Sequence, residues 1–242
     1  DFVELDPATF AAIKRDRRVI DGEVVDGDRI VEVGTDGSET TVWSVWDHFE
    51  FDPDVWIEPG TTWCHANALD LVRDDAYYLS LRNLDAIVKI DRATGELLWT
   101  LGGASSDFSG PAGETDFFRH QHQFEVLEDG ILVFDNGMVS DYSSRVVEIV
   151  LDESAGSAEV VWEYAPDPPL YSLALGDVAR LPSDNTLVTF SSAGQVDEVT
   201  PDGELIWRLN TEVGSAFGYA TWREALFDAV GPAGTDLELS RR

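Results

Sequence analysis

His65, in the stretch TWCHANALD, is followed two places later by Asn67, and in RHQHQFEVL His120 precedes His122 by the same interval. Residues two apart on an extended strand share a face, so each pair projects to one side. A packed strand face has no use for two polar groups unless they are satisfied in the core or point into a site. An imidazole titrates near neutrality and can move a proton. Two arginines also stand in strand-like text, Arg82 in SLRNLD and Arg145 in SSRVVEI. Their planar guanidinium forks suit oxyanions, and a carboxylate neighbour is the competing use. Together these residues point to the handling of an anionic group. Two other readings use the same side chains. His120, His122 and His65 offer a three-histidine metal site, and a site of this kind can equally bind a ligand or a protein partner with no chemistry. His48, in WSVWDHFEF, reads as an ordinary satisfied strand polar. Cys64 is adjacent to His65 and so faces the opposite side, which argues against a Cys–His nucleophilic pair.

The elements that must position these residues repeat. RIVEVGTDGSETTVWSVW (29–46), AIVKIDRATGELLWTL (86–101), RVVEIVLDESAGSAEVVWEY (145–164) and QVDEVTPDGELIWRL (195–209) each read as a strand, a glycine-containing turn or loop, and a second strand ending near a tryptophan. Alternation of apolar and polar residues marks half-buried strands. Trp46, Trp99, Trp162 and Trp207 recur with the unit and read as hydrophobic payload between sheets. A further hairpin precedes each of these: FVELDPATFAAI, HANALDLVRDDAYYLSL, HQFEVLEDGILVF and DVARLPSDNTLVTF. Four short antiparallel strands per unit are β-propeller blades. The expectation is therefore an all-β propeller domain over 1–227, with blades at about 1–46, 63–101, 120–164 and 176–209. A closing strand is expected over 217–227 and a tail over 228–242. Residues 8–18 and 221–229 carry weak helical patterning. Alignment of the first strands on their hydrophobic pattern sets His65 opposite His122, with Gly176 in the fourth unit. The first strand of a blade lines the central channel, so these positions converge on one cavity. The opening DFVEL already reads as a strand, and further blades are expected upstream of it.

Composition narrows the function. The chain of 242 residues carries 47 Asp and Glu against 16 Lys and Arg, for a net charge of −31. Such a field repels nucleic-acid phosphates and anionic lipid surfaces. An aspartate-rich surface with only two lysines, Lys14 and Lys89, suits a high-salt source, where self-repulsion is screened. A single cysteine permits no internal disulfide, and no apolar run is long enough to span a membrane as a helix. Neither a G-x-x-x-x-G-K-[ST] nucleotide loop nor a G-x-S-x-G nucleophile elbow is present, and DNG at 135–137 is turn text. No cofactor is expected.

WCHANALDL, YYLSLRNLDAIVKIDRATGELLWTLGG, QHQFEVLEDGILVFDNG, SRVVEI and VWEY resemble the arylsulfotransferase family of the type that uses no nucleotide sulfate. The resemblance runs from about residue 60 to 226, and more loosely over 1–50. It implies a six-bladed propeller, an extracellular or periplasmic location, and transfer of a sulfuryl group from a phenyl sulfate ester to a phenol. It implies catalytic roles for His65 and His122, in the HANALD and QH motifs, and for Arg145, the first arginine after FDNG. Asn67, Arg82, His120 and Asn136 are the expected substrate-binding residues. A covalent histidine is implied just after WEY, yet WEYAPDPPLYSLALGDV contains none. Transfer is then expected to be direct, or to use His120 or His122 as the nucleophile.

Overall fold

In the computed structural model, residues 1–53, 61–72, 76–140, 142–211 and 216–222 are described. Sixteen strands form four antiparallel sheets of four, each sheet built from consecutive strands. The first blade comprises β1 (Phe2–Asp6), β2 (Thr9–Ile20), β3 (Glu23–Gly34) and β4 (Glu39–Ser44). The second comprises β5 (Ala66–Val72), β6 (Ala76–Leu81), β7 (Ala86–Asp91) and β8 (Leu97–Leu101). β9 (Phe124–Val126), β10 (Gly130–Asp135), β11 (Arg145–Asp152) and β12 (Ser157–Tyr164) make the third. β13 (Asp177–Arg180), β14 (Thr186–Phe190), β15 (Gln195–Val199) and β16 (Leu205–Asn210) make the fourth. The first strands stand where the repeat places them, at the start of each sheet.

The blades stack face to face, so their middle strands are buried on both sides. This is why AYYLSL and TLVTF read as nearly continuous apolar runs: every residue of β6 and of β14 is buried. One core lies between the first and second blades, around Trp43, Trp63, Tyr77 and Leu79. Another lies between the second and third, around Trp99, Phe108, Phe118 and Ile131. A third joins the third and fourth blades through Phe134, Tyr164, Val188 and Phe190. Burial of each such side chain contributes about 1.5–3 kcal/mol.

Three expectations are corrected. Residues 8–18 are not helical: β2 pairs with β3 along its whole length, from Thr9 opposite Gly34 to Ile20 opposite Glu23, and that ladder overrides the weak local pattern. Trp46 does not end an outer strand. It lies in a short 3-10 turn, Val45–Asp47, and Trp43 is the tryptophan of β4. The closing strand is not formed over 217–222. That stretch is irregular and lies on the fourth blade, where Phe217 and Ala220 pack against Leu181, Leu187 and Val196. Residues 223–227 and the tail lie outside the described residues.

Candidate active site

The histidines lie where the second and third blades begin. His65 precedes β5 with a left-handed backbone, φ 51°, and its N–H donates to Thr62 Oγ1 at 3.0 Å. Its carbonyl accepts from the Arg82 N–H at 3.1 Å. Arg82 opens a 3-10 turn, Arg82–Leu84, at the end of β6, and is only 8% exposed. Its Nη1 donates to Asn83 Oδ1 at 3.0 Å. The pairing of β5 with β6 skips from Ala66–Leu81 to Ala68–Ser80, leaving Asn67 in a bulge. A bulge re-aims the side chain it carries. Asn67 Nδ2 donates to the Gln121 carbonyl at 2.9 Å, tying the second blade to the residue before His122. Asn67 Oδ1 is buried and has no partner among the described residues.

The third blade repeats this geometry with a different residue set. Leu69 pairs with Leu79, and Phe124 with Val133, so the two strands superimpose on those pairs. Counting back, His120 is the equivalent of His65, and both carry φ 51°. His122 is the equivalent of Asn67, and the hydrogen bonds of His122 N–H to Phe134 O (3.1 Å) and Phe134 N–H to Gln123 O (2.9 Å) place it in the same bulge. The expected match of His65 with His122 is thus two residues out of register. The slip preserves the face, and the two imidazoles still share one electrostatic environment. His122 is buried, and its pKa is pushed down to about 4 by burial, by the charge of His65 and by that of Arg82. Its Nδ1 has no hydrogen-bond partner among the described residues. His65, Arg82 and His122 are therefore coupled electrostatically, a cluster of basic side chains in a strongly acidic chain.

The other expected residues are differently engaged. The N–H of His120 donates to Asp85 Oδ1 at 2.7 Å, and burial raises the pKa of that carboxyl against the opposing pull of this bond. Asn136 is 1% exposed and uses its Nδ2 to clamp the carbonyls of Ser172 (2.7 Å) and Leu175 (2.8 Å), which ties the third blade to the loop before the fourth. Arg145 is held by carboxylates, with Nε on Asp135 Oδ2 at 2.9 Å and Nη1 on Glu163 Oε2 at 2.5 Å, and its Nη2 donates to the Phe117 carbonyl at 3.2 Å. It borders a separate open cleft of about 240 Å³ with Asp116, Phe118, Arg119 and Gly137. The arginine whose charge reaches His122 is Arg82. His48 stacks on Trp43 with ring centroids 5.5 Å apart, as a structural polar. Cys64 is buried against Asp28, its Sγ donating to Oδ2 at 2.9 Å, and burial raises its pKa. Among the described residues no group of three His, Cys, Asp or Glu side chains is placed to hold a metal.

Two residues at this end escaped the sequence reading. Asp177 begins β13, and burial pushes its carboxyl up to about 7, with the charge of Glu125 adding to the effect. The repeat register carried the signal, since Asp177 is the equivalent of Gln123 beside His122. Tyr219 lies in the irregular segment after the fourth blade, with its ring 6.0 Å from that of His122. No repeat pattern marks it.

Comparison with curated proteins finds no match. Among solved structures, the chain is similar to virginiamycin B lyase from Staphylococcus aureus, with 14% identity, a TM-score of 0.45, and coverage of 84% of this chain and 61% of that one. It is also similar to a protein of unknown function from Bacteroides caccae, with 14% identity, a TM-score of 0.48, and coverage of 84% and 69%. A streptogramin B lyase shows 11% identity and a TM-score of 0.44, with coverage of 84% and 59%. The chain thus spans about three fifths of the length of the lyases. A family model described as Arylsulfotransferase (ASST) matches residues 2–215.

Proposed function

The chain belongs to the arylsulfotransferase family, and from that premise we propose that it transfers a sulfuryl group from a phenolic sulfate ester to a phenol at the cluster of His65, Arg82 and His122. The observation that carries this reading is the placement of His122, buried at the start of the third blade with its Nδ1 unpartnered among the described residues and with Arg82 and His65 near enough for their charge to act on it. Burial and neighbouring positive charge, that of His65 and Arg82 foremost, keep its imidazole neutral at pH 7, and a neutral imidazole has a lone pair to offer as a nucleophile. The cations that depress its pKa are the groups suited to the sulfuryl oxygens, whose charge they stabilise in transit.

In the forward half-reaction an imidazole nitrogen of His122 bonds to sulfur, the S–O bond to the aryl oxygen breaks, and the phenolate leaves with the electron pair. In the second half-reaction the acceptor oxygen bonds to sulfur, the N–S bond breaks, and the electron pair returns to His122. His65 enters as a cation, gives its proton to the leaving phenolate in the first half-reaction and, now neutral, takes the acceptor's proton in the second, while Arg82 holds the sulfuryl oxygens. Asn67, anchored to the Gln121 carbonyl, positions the segment before β9 that carries His122. This assigns to His122 the covalent role for which the segment after WEY has no histidine.

The test is turnover of 4-nitrophenyl sulfate with a phenol acceptor by the full-length protein, at high salt. Ping-pong kinetics and a sulfuryl adduct on His122 by mass spectrometry are expected. Turnover that requires both substrates bound together, with no adduct, would replace the covalent route by direct transfer. No consumption of any aryl sulfate would remove the enzyme reading altogether.

A further inference from the structure

The fourth blade departs from the second and third at the channel end. Val178 pairs with Val188 as Phe124 does with Val133, so the position held by Asn67 and His122 falls on Gly176. Gly176 has φ 128°, and a Cβ added there would lie 2.2 Å from the Phe134 ring. The fourth blade therefore has no room for a side chain of its own at this point. Tyr219 comes in from outside the blade. Its ring stands 6.0 Å from the His122 imidazole, tilted at 45°, and is 50% exposed. The segment that carries it is fastened to the fourth blade. Phe217 N–H donates to Ser191 O at 3.0 Å, Ser191 Oγ donates to Gly218 O at 3.1 Å, and Phe217 and Ala220 fill an apolar patch on Leu181, Leu187 and Val196. The phenol group of Tyr219 interacts with Gln123 and lies in the field of Asp177, equivalent positions of adjacent blades. Both ends of the side chain are thus constrained, with the ring beside the nucleophile and part of its surface open.

We propose that Tyr219 is the aryl-recognition residue of the site, the wall on which the phenyl ring of donor or acceptor stacks beside His122. This rests on the sulfuryl-transfer reading and adds to it the basis for choosing aryl over alkyl substrates. The cations Arg82 and His65 serve any sulfate ester alike and so cannot distinguish an aryl from an alkyl group. A fixed aromatic face can, because ring–ring contacts in offset or edge geometry add about 0.5–1.5 kcal/mol beyond the area they bury. A tyrosine also offers this contact at low conformational cost when its backbone is already anchored.

The experiment measures equilibrium binding of 4-nitrophenol by calorimetry, which needs no turnover, beside kcat/KM for 4-nitrophenyl sulfate, in the full-length wild type, Tyr219→Phe and Tyr219→Leu. Tyr219→Phe should stay within about threefold of wild type in both, and Tyr219→Leu should lose about tenfold or more in binding, with the kinetic loss mainly in KM. Wild type should also bind phenol about two- to twelvefold more tightly than cyclohexanol, a comparison that needs no variant to fold. Unchanged 4-nitrophenol binding by folded Tyr219→Leu, or equal affinity of wild type for phenol and cyclohexanol, overturns the assignment. Tyr219-dependent phenol binding without ester turnover upholds Tyr219 and removes sulfuryl transfer. Turnover that Tyr219→Leu leaves untouched does the reverse.

Discussion

His65 and His120 turn through the same left-handed backbone angle, φ 51° in each, at equivalent points before β5 and β9. Left-handed conformation disfavours most side chains, by roughly 1–2 kcal/mol per residue, and asparagine and glycine tolerate it best. His65→Asn should therefore fold like wild type, within about 0.5 kcal/mol, while turnover falls by about a hundredfold or more. His65→Val should lose about 1–2 kcal/mol as well as activity. Thermal melts beside rate assays separate the two effects, and an active His65→Asn would show that His65 has no role in proton transfer.

Arg82 and Arg145 should part company under mutation. Arg82→Gln removes a charge that acts on His122, so kcat/KM should drop by about 10²–10³, with the apparent pKa of His122 moving up. Arg145→Ala leaves Asp135, whose side chain is 6% exposed, with the backbone N–H groups of Arg119 and Gly137 but without its paired cation. A loss of about 1–3 kcal/mol in stability is expected, discounted because the guanidinium is partly in solvent. Activity per folded molecule should survive it. The opposite pattern would return the catalytic arginine to position 145.

The pH dependence of stability should carry two opposed contributions. The fold holds His122 at about 4 against an ordinary 6.5. Below pH 6.5 the unfolded chain binds a proton that the native site refuses, so stability falls from there down to about pH 4. Asp177 is held at about 7 against 3.8. Above pH 3.8 the unfolded chain releases a proton that the native site keeps, so stability is lost as pH rises towards 7. Asp177→Asn should accordingly exceed wild type at pH 8, by about 1–4 kcal/mol, and the difference should vanish near pH 4. Denaturant titrations at the two pH values give the answer.

Added salt should stabilise the chain. Its net charge of −31 is spread over a surface with few cations, and at 1 M ionic strength the screening length contracts to about 3 Å. The melting temperature should climb between dilute buffer and molar KCl. A flat profile would mean that local ion pairs, such as Arg17 with Asp26 at 2.6 Å, already absorb the repulsion.

The blades were legible because their strands alternate and their turns carry glycine, both local properties. β2 was legible only at its start, in the hairpin FVELDPATFAAI; beyond it KRDRRVI mixes apolar and charged residues, and its strand state comes from a partner ladder. The site was legible as a set of residue types but not in register. A two-residue slip keeps every side chain on its face, so hydrophobic alignment could not tell that His65 matches His120 and Asn67 matches His122. The bulge pairs decide it. The proposal's preference for Arg82 over Arg145 rests on the carboxylates Asp135 and Glu163, which only folding brings to Arg145. Tyr219 belongs to no repeat and became visible only through its ring contact with His122.

Asp28 has a consequence for how the molecule comes apart. This 4% exposed carboxylate of the first blade accepts the Cys64 thiol at 2.9 Å, the Ala66 N–H at 2.8 Å and the Thr62 hydroxyl, all from the start of the second. In a linear array, stability is a sum of unit terms and nearest-neighbour couplings. Asp28 concentrates much of the polar coupling between the first two units in one side chain. Asp28→Ala should weaken the junction more than the units it joins. Hydrogen exchange should then show β1–β4 opening as a separate foldon, ahead of β5–β16, where the intact chain opens those amides together.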